Sequence, residues 1–296
     1  MQVLIPQPLK IKNDSVPEDE APLWDEGKDY VKGEQVIFDH YVYEAQAESK
    51  GRTPADNSDA ADAPWITVKV TNKYAGIDPY NYTQTVAHGQ TTLFIQVPFA
   101  PPSTGVALLE MGAVRVTVSV HNQDGELVYG GEPVNLLRDS RDYWDYCFGE
   151  FRFQRELVLT CIPPVSGTLS ITLERGDSPA IGNIIVGEHI VFGVTQYGVR
   201  SGFTDYSKVT VDDFGRYSWV KRGKAREGEF PVWIDRDDLD YVQDVLTDLA
   251  GAPALWIGDN GAGFRSMIIH GFLEEYEAGL GDYGRATANY VIRGTI

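Results

Sequence analysis

Between Thr92 and Leu173, apolar side chains recur at every second position in four separate runs, and this alternation restricts the possible folds more than any other feature of the chain. The runs are Thr92-Leu93-Phe94-Ile95-Gln96-Val97, Val114-Arg115-Val116-Thr117-Val118-Ser119-Val120, Glu156-Leu157-Val158-Leu159-Thr160 and Thr168-Leu169-Ser170-Ile171-Thr172-Leu173. Successive side chains of an extended strand point to opposite faces, so a period of two gives one apolar and one polar face. Turn signals at Asn122-Gln123-Asp124-Gly125 and Val165-Ser166-Gly167 separate the runs. Residues 71–190 are therefore expected to form an antiparallel β-sandwich.

The remainder divides by texture. With 296 residues the chain exceeds a single average domain. Residues 1–20, with three prolines and the acidic run Pro17-Glu18-Asp19-Glu20, read as an extended N-terminal arm that orders on a neighbouring subunit. Residues 21–70 form a short segment of aromatics and turn glycines. It contains strand-like Gln35-Val36-Ile37-Phe38 and Tyr41-Val42-Tyr43-Glu44-Ala45 around the turn Asp39-His40, then a loop over 49–63. Residues 191–296 mix types and predict an α+β domain. Its helix spans 238–250, with the stripe Leu239, Val242, Val245, Leu246 and Leu249 and a stop at Gly251 and Pro253. The fold class is thus mainly β and multidomain.

Charge excludes some partners. Lys and Arg number 25 against 43 Asp and Glu, a formal charge of -18, which repels nucleic-acid backbones and anionic lipid surfaces. No apolar run is long enough for a membrane span, and Met1-Gln2-Val3-Leu4-Ile5-Pro6 lacks the basic start and apolar length of a signal peptide. Two cysteines, Cys147 and Cys161, lie in strand-like surroundings without metal-ligand spacing and read as buried free thiols, although neighbouring strands would also let them pair.

Catalytic signatures are missing from the sequence. His40, His88, His121, His189 and His270 are scattered, none spaced from another His or a Cys as a metal site requires. Neither a Gly-x-Ser-x-Gly elbow, a phosphate loop nor a dinucleotide fingerprint occurs, so no cofactor or metal is expected. Asp213-Phe214-Gly215 reads as a turn, Arg175-Gly176-Asp177-Ser178-Pro179 as ordinary turn chemistry, Asp235-Arg236-Asp237-Asp238 as lacking the glycine and distal Glu of a calcium loop, and Glu274-Glu275-Tyr276-Glu277 as a solvated surface.

The order Trp24, Gly27, Tyr30, Gly33, Val36, Tyr43, Ala45, Pro54, Trp65 resembles the carbohydrate-binding modules of families 5 and 12, found on chitinases and in tail proteins of tailed bacteriophages. The match covers about one sixth of the chain. It implies a compact three-stranded β module whose Trp24, Tyr30 and Tyr43 support the fold, with chitin or a related glycan as ligand. Aromatic rings stack on the apolar faces of sugars, and Trp65 and Tyr41 are the expected carbohydrate contacts. The sequence departs from the family where Ala63-Pro64-Trp65 offers one ring and Gln46-Ala47-Glu48 replaces an aromatic stretch. The strand-rich middle resembles the galactose-binding-like jelly rolls of phage tail proteins. Residues 187–193, 198–207 and 212–215, with Lys221-Arg222, resemble uncharacterised siphophage tail proteins.

These resemblances imply a noncatalytic structural component of a phage tail tip or baseplate, made in the host cytoplasm and located in the virion. Its partners would be other tail proteins, further copies of itself and, weakly, host-surface glycan. The rival expectation is a polysaccharide-degrading enzyme with an appended module.

Overall fold

A computed structural model describes the chain except for residues 59–62, 79–82, 141, 260, 262–263, 281–283 and 296. About half of the residues are strand and a tenth helix, so the fold is mainly β, as the alternation predicts.

Strands β1 (Gln2–Pro6) and β2 (Asn13–Asp14) open the chain, followed by a small unit of β3 (Asp29–Tyr30), β4 (Gln35–Phe38), β5 (Tyr41–Ala45), β6 (Ser49–Lys50) and β7 (Trp65–Val70). β4, β5 and β7 make a three-stranded antiparallel sheet. The β4–β5 turn places both Asp39 and His40 at positive φ, the geometry whose twist matches that of the flanking strands. A miniature core of Tyr30, Val36, Tyr43, Ala45 and Trp65 lies beneath, flanked by Trp24 and Phe38. The predicted loop at 49–63 contains β6 and a short 3-10 turn at Ala55–Asn57; its residues 59–62 lie outside the described set.

The middle of the chain supplies β8 (Thr85–Val86), β9 (Thr92–Phe99), β10 (Gly105–Leu109), β11 (Arg115–Asn122), β12 (Leu127–Asn135), helix α1 (Tyr143–Phe148), β13 (Leu157–Leu159), β14 (Gly167–Glu174), β15 (Ala180–Ile181) and β16 (Asn183–Val191). A five-stranded sheet runs in the order β12-β11-β14-β9-β2. Its alternating residues, among them Leu93, Ile95, Val97, Val116, Val118, Leu169 and Ile171, face a core shared with Val106, Leu108, Ile184 and Val186 of β10 and β16. Two sheets thus pack face to face.

The C-terminal part adds β17 (Val194–Thr195), β18 (Arg200–Asp205), β19 (Lys208–Val211), β20 (Tyr217–Val220), β21 (Lys224–Asp235), helix α2 (Leu239–Asp248), β22 (Ala254–Ile257), β23 (Ile268–Leu280) and β24 (Arg285–Gly294). A ten-stranded, curled antiparallel sheet follows the order β13-β10-β16-β1-β22-β23-β24-β21-β17, with β18 also on β21. Val242, Leu246 and Leu249 of the α2 segment pack on Phe230, Val232, Trp256, Ile269 and Tyr290. That is the stripe read from the sequence. Gly251, at φ +79, ends the turn that follows the helix.

Two expected boundaries are corrected. Residues 1–20 are not an arm awaiting a neighbour: β1 lies inside the ten-stranded sheet, paired with β16 on one side (Val3↔Ile190, Leu4↔His189) and β22 on the other (Val3↔Trp256). Pro6 is compatible with this because it ends the strand. The acidic run also binds within the chain. Glu18 accepts from Thr71 Oγ1 at 2.7 Å and faces His40 Nδ1 at 3.0 Å, and the Glu20 carboxylate accepts from the Asn72 amide. By bridging β16 to β22, β1 also joins residues 71–190 to 191–296 in one sheet, so no break falls at 190.

Candidate functional site

In the small N-terminal unit, the structure separates the two rings expected to touch sugar. Trp65 is 1% exposed, its indole Nε1 donates to the Arg52 carbonyl at 3.0 Å, and Tyr30 packs on it edge-on at 5.3 Å between centroids. Neither face of that indole is open to a ligand. Tyr41 is 39% exposed and sits 6.4 Å from the Tyr43 ring. Burial, then the charges of Asp78 and Asp39, hold its hydroxyl above the ordinary tyrosine pKa, so a half-open ring stands beside two carboxylates able to accept from sugar hydroxyls. The signature residues serve the fold. The Tyr30 hydroxyl accepts from Asp25 N, Gly27 N donates to Asp25 Oδ1, Gly33 adopts φ +90, and Pro54 begins the 3-10 turn. Trp24 crosses Phe38 at 5.5 Å, while Val36 and Tyr43 are buried.

Two protruding elements carry most of the exposed aromatic surface. The first is α1 with the residues after it. Tyr143, Trp144, Tyr146, Phe148 and Phe151 are each 70–80% exposed, and Trp144 stacks on Phe148 at 5.4 Å. Residues 146–148 were expected to be strand-like, with a buried thiol at 147. Instead Asp142 caps a helix by accepting from Asp145 N at 2.8 Å, and both Cys147 and Cys161 are exposed and free. The Asp142-x-x-Asp145 cap and the Trp144/Phe148 spacing were the available signals.

The second element is the β19–β20 hairpin, which among the described residues pairs only with itself (Val209↔Trp219, Val211↔Tyr217). Asp212 Oδ1 accepts from Phe214 N and Arg216 N, and Gly215 takes φ +76, so Asp212–Gly215 is a turn as expected. Val209, Val211, Phe214, Tyr217 and Trp219 are 57–88% exposed. A lone two-stranded hairpin is marginally stable in water, and contiguous apolar surface of this kind marks an interaction site.

A cleft lies where the β10–β11 turn, the segment before β13, and β21 meet. Glu156 is buried there and bound to Arg226, while Glu110 faces Arg155 at 3.5 Å. The floor of an adjoining cavity of about 540 Å³ includes His270, whose pKa burial lowers to about 4; Thr295 Oγ1 lies 3.3 Å from its Nδ1. The unfolded chain takes up that proton near pH 6.5 and the folded chain only near 4. Folding stability is therefore fully retained above pH 6.5 and falls as pH drops from 6.5 toward 4, by about 3 kcal/mol at most from this group. The His270→Gln variant should show a shallower loss of melting temperature across that window than the parent; an identical slope would exclude His270 as its source.

The Glu274–Glu277 stretch lies on β23, with its three glutamates exposed as expected. Among the described residues there is no group of three or more His, Cys, Asp or Glu placed to hold a metal ion, and no helix is long and apolar enough to cross a membrane. Comparison with family models, curated proteins and solved structures finds no match to this chain.

Proposed function

We propose that the chain is a noncatalytic structural subunit of a bacteriophage tail tip or baseplate that assembles with copies of itself and with other tail proteins. In this reading residues 21–70 are a carbohydrate-module-like domain making weak contact with host-surface glycan through Tyr41, and the layered middle is a galactose-binding-like jelly roll. The sequence resemblances support the setting. The observation that carries the assembly role is the pair of exposed aromatic elements, α1 and the β19–β20 hairpin, because Trp and Tyr left in water on a monomer are the residue types that dominate interface energetics.

Their net charges are opposite in sign. Residues 206–224 hold five Lys or Arg against two Asp, whereas the rest of the chain holds 20 against 41. The stretch 138–152 around the rings of α1 holds four acidic residues, Asp139, Asp142, Asp145 and Glu150, against three arginines, Arg138, Arg141 and Arg152. The basic hairpin of one copy is therefore opposite in sign to the slightly acidic α1 segment of the next. Such a head-to-tail contact closes into a ring when the rotation permits.

The test is mass measurement by light scattering over micromolar concentrations. The parent chain should form a discrete oligomer, and Trp219→Ser with Val209→Ser should weaken it on the order of 30-fold while leaving the circular dichroism unchanged. A parent that stays monomeric, or a variant that assembles equally well, would remove the self-assembly reading. Immunogold labelling of virions tests the location, since label away from the tail end contradicts it.

A further inference from the structure

Arginine is used unevenly in this acidic chain. One cavity of about 520 Å³ is lined by Arg138, Arg152, Arg155, Arg175 and Arg226 against only two carboxylates, Glu110 and Glu156. Those two carboxylates are already engaged, Glu156 by Arg226 and Glu110 by Arg155. Arg138, Arg152 and Arg175 have no ion pair among the described residues, although the chain contains 43 acidic side chains. They arrive from three separate segments, after β12, before β13 and after β14, so the convergence is built by the fold and is not a run in the sequence. Backbone bonds hold two of the segments together: Arg138 N donates to Arg152 O at 2.8 Å, and Leu137 bridges Phe153.

The third segment is fitted to the same place by a glycine. A Cβ at Gly112 would lie 3.3 Å from Arg175 Nη1 and 3.3 Å from Ala180 Cβ, so the bare backbone there lets the guanidinium lie over the turn. This accounts for a sequence motif that the assembly role leaves unused. Arg175 of Arg175-Gly176-Asp177 lines the cavity, while Asp177 Oδ1 accepts from Ser178 Oγ at 2.9 Å. Phe151, 80% exposed, lines the same cavity.

We propose that this cavity binds an anionic saccharide, its carboxylate or phosphate held by Arg138, Arg152 and Arg175 and its ring lying on Phe151. The planar guanidinium fork matches both kinds of oxyanion, and an aromatic face beside it suits the apolar face of a sugar. The volume lies within the range of small-ligand sites and admits one or two sugar rings. The overall charge of -18 does not forbid the site, because at physiological salt a charge is screened over about 8 Å and the local arginines dominate. The lining includes neither Tyr41 nor any residue of the β19–β20 hairpin, and it borders the α1 surface, with which it shares Phe151.

The experiment is calorimetric titration of the full chain with trigalacturonate as the carboxylate probe, mannose 6-phosphate as the phosphate probe, and chitotriose, inorganic phosphate and AMP as comparators. One of the two anionic sugars should bind in the sub-millimolar range and chitotriose should not; which one binds identifies the anion. The Arg152→Ala, Arg175→Ala double variant should bind that sugar at least about tenfold more weakly. Arg216→Ala on the hairpin should bind as the parent does, and since all of these arginines are exposed, the melting temperature should hold. Phe151→Ala should weaken the sugar and leave inorganic phosphate unchanged. Failure of both anionic sugars to bind, undiminished binding by the double variant, an equal loss in Arg216→Ala, or binding of AMP or phosphate as tight as the sugar would each overturn the proposal.

Discussion

Deletion of residues 1–6 is expected to abolish cooperative folding of everything beyond the small N-terminal unit. β1 is hydrogen-bonded on both sides, with Gln2–Pro6 paired along β16 and Gln2–Leu4 along β22. Val3 and Leu4 are fully buried on opposite faces: Val3 joins the core under α2, and Leu4 joins Ala107, Leu109, Ile185 and Leu255. Each lost aliphatic side chain costs about 2–5 kcal/mol, and every stranded backbone group adds about 1–3 kcal/mol. The total exceeds the roughly 5–15 kcal/mol by which domains are stable. The neighbours are cut to fit this strand as well, since a Cβ at Gly187 would collide with the Ile5 carbonyl and one at Gly105 with the Leu4 side chain. Thermal circular dichroism of the truncated chain should show no sharp transition for the large sheets; an unchanged melt would mean that β1 is dispensable.

Trp65→Ala should unfold the small unit and leave the rest of the molecule intact. The indole is the largest side chain of a five-residue core, and its loss costs about 3–5 kcal/mol, as much as a core of this size supplies in total. That core is separate from the three clusters of the larger sheets. Limited proteolysis should cut the variant rapidly within 21–70 while β9–β24 stay protected. Resistance equal to the parent's would show that the ring is not needed for packing. Tyr41→Ala, at an open position, should keep the parent's resistance and weaken glycan pull-down; the two variants therefore separate folding from contact in one unit.

The legible parts of the fold are those with one dry and one wet face. β9, β11 and β14 announce themselves by alternation, and α2 by its stripe, because half of each element meets water. β10 and β16 carry no such pattern. Val106 and Leu108 face one core while Ala107 and Leu109 face another, so both sides of the strand are apolar and the period of two vanishes. β1 is hidden for the same reason, and the prolines of residues 1–20 point to an extended arm. α1 misled in the opposite direction. Its surroundings read as a strand with a buried thiol at Cys147, yet among the described residues nothing covers its rings, and a sequence carries no mark that distinguishes a ring packed inside from one left outside. The arginine cavity was illegible because residues 138, 152 and 175 meet only through the strand order.

The position of β1 also sets a timetable. Gln2 pairs with Val191 and with Ile257, so a strand near the beginning of the chain has to wait for partners that leave the ribosome far later. At about 5–20 residues per second the delay is roughly 10–50 s. The small unit at 21–70 can close as soon as it emerges, whereas β1 stays unpaired until β16 emerges and keeps its other edge open until β22 follows. Insertion of that strand is the step at which a nascent chain of this protein is most exposed to pairing with the wrong neighbour.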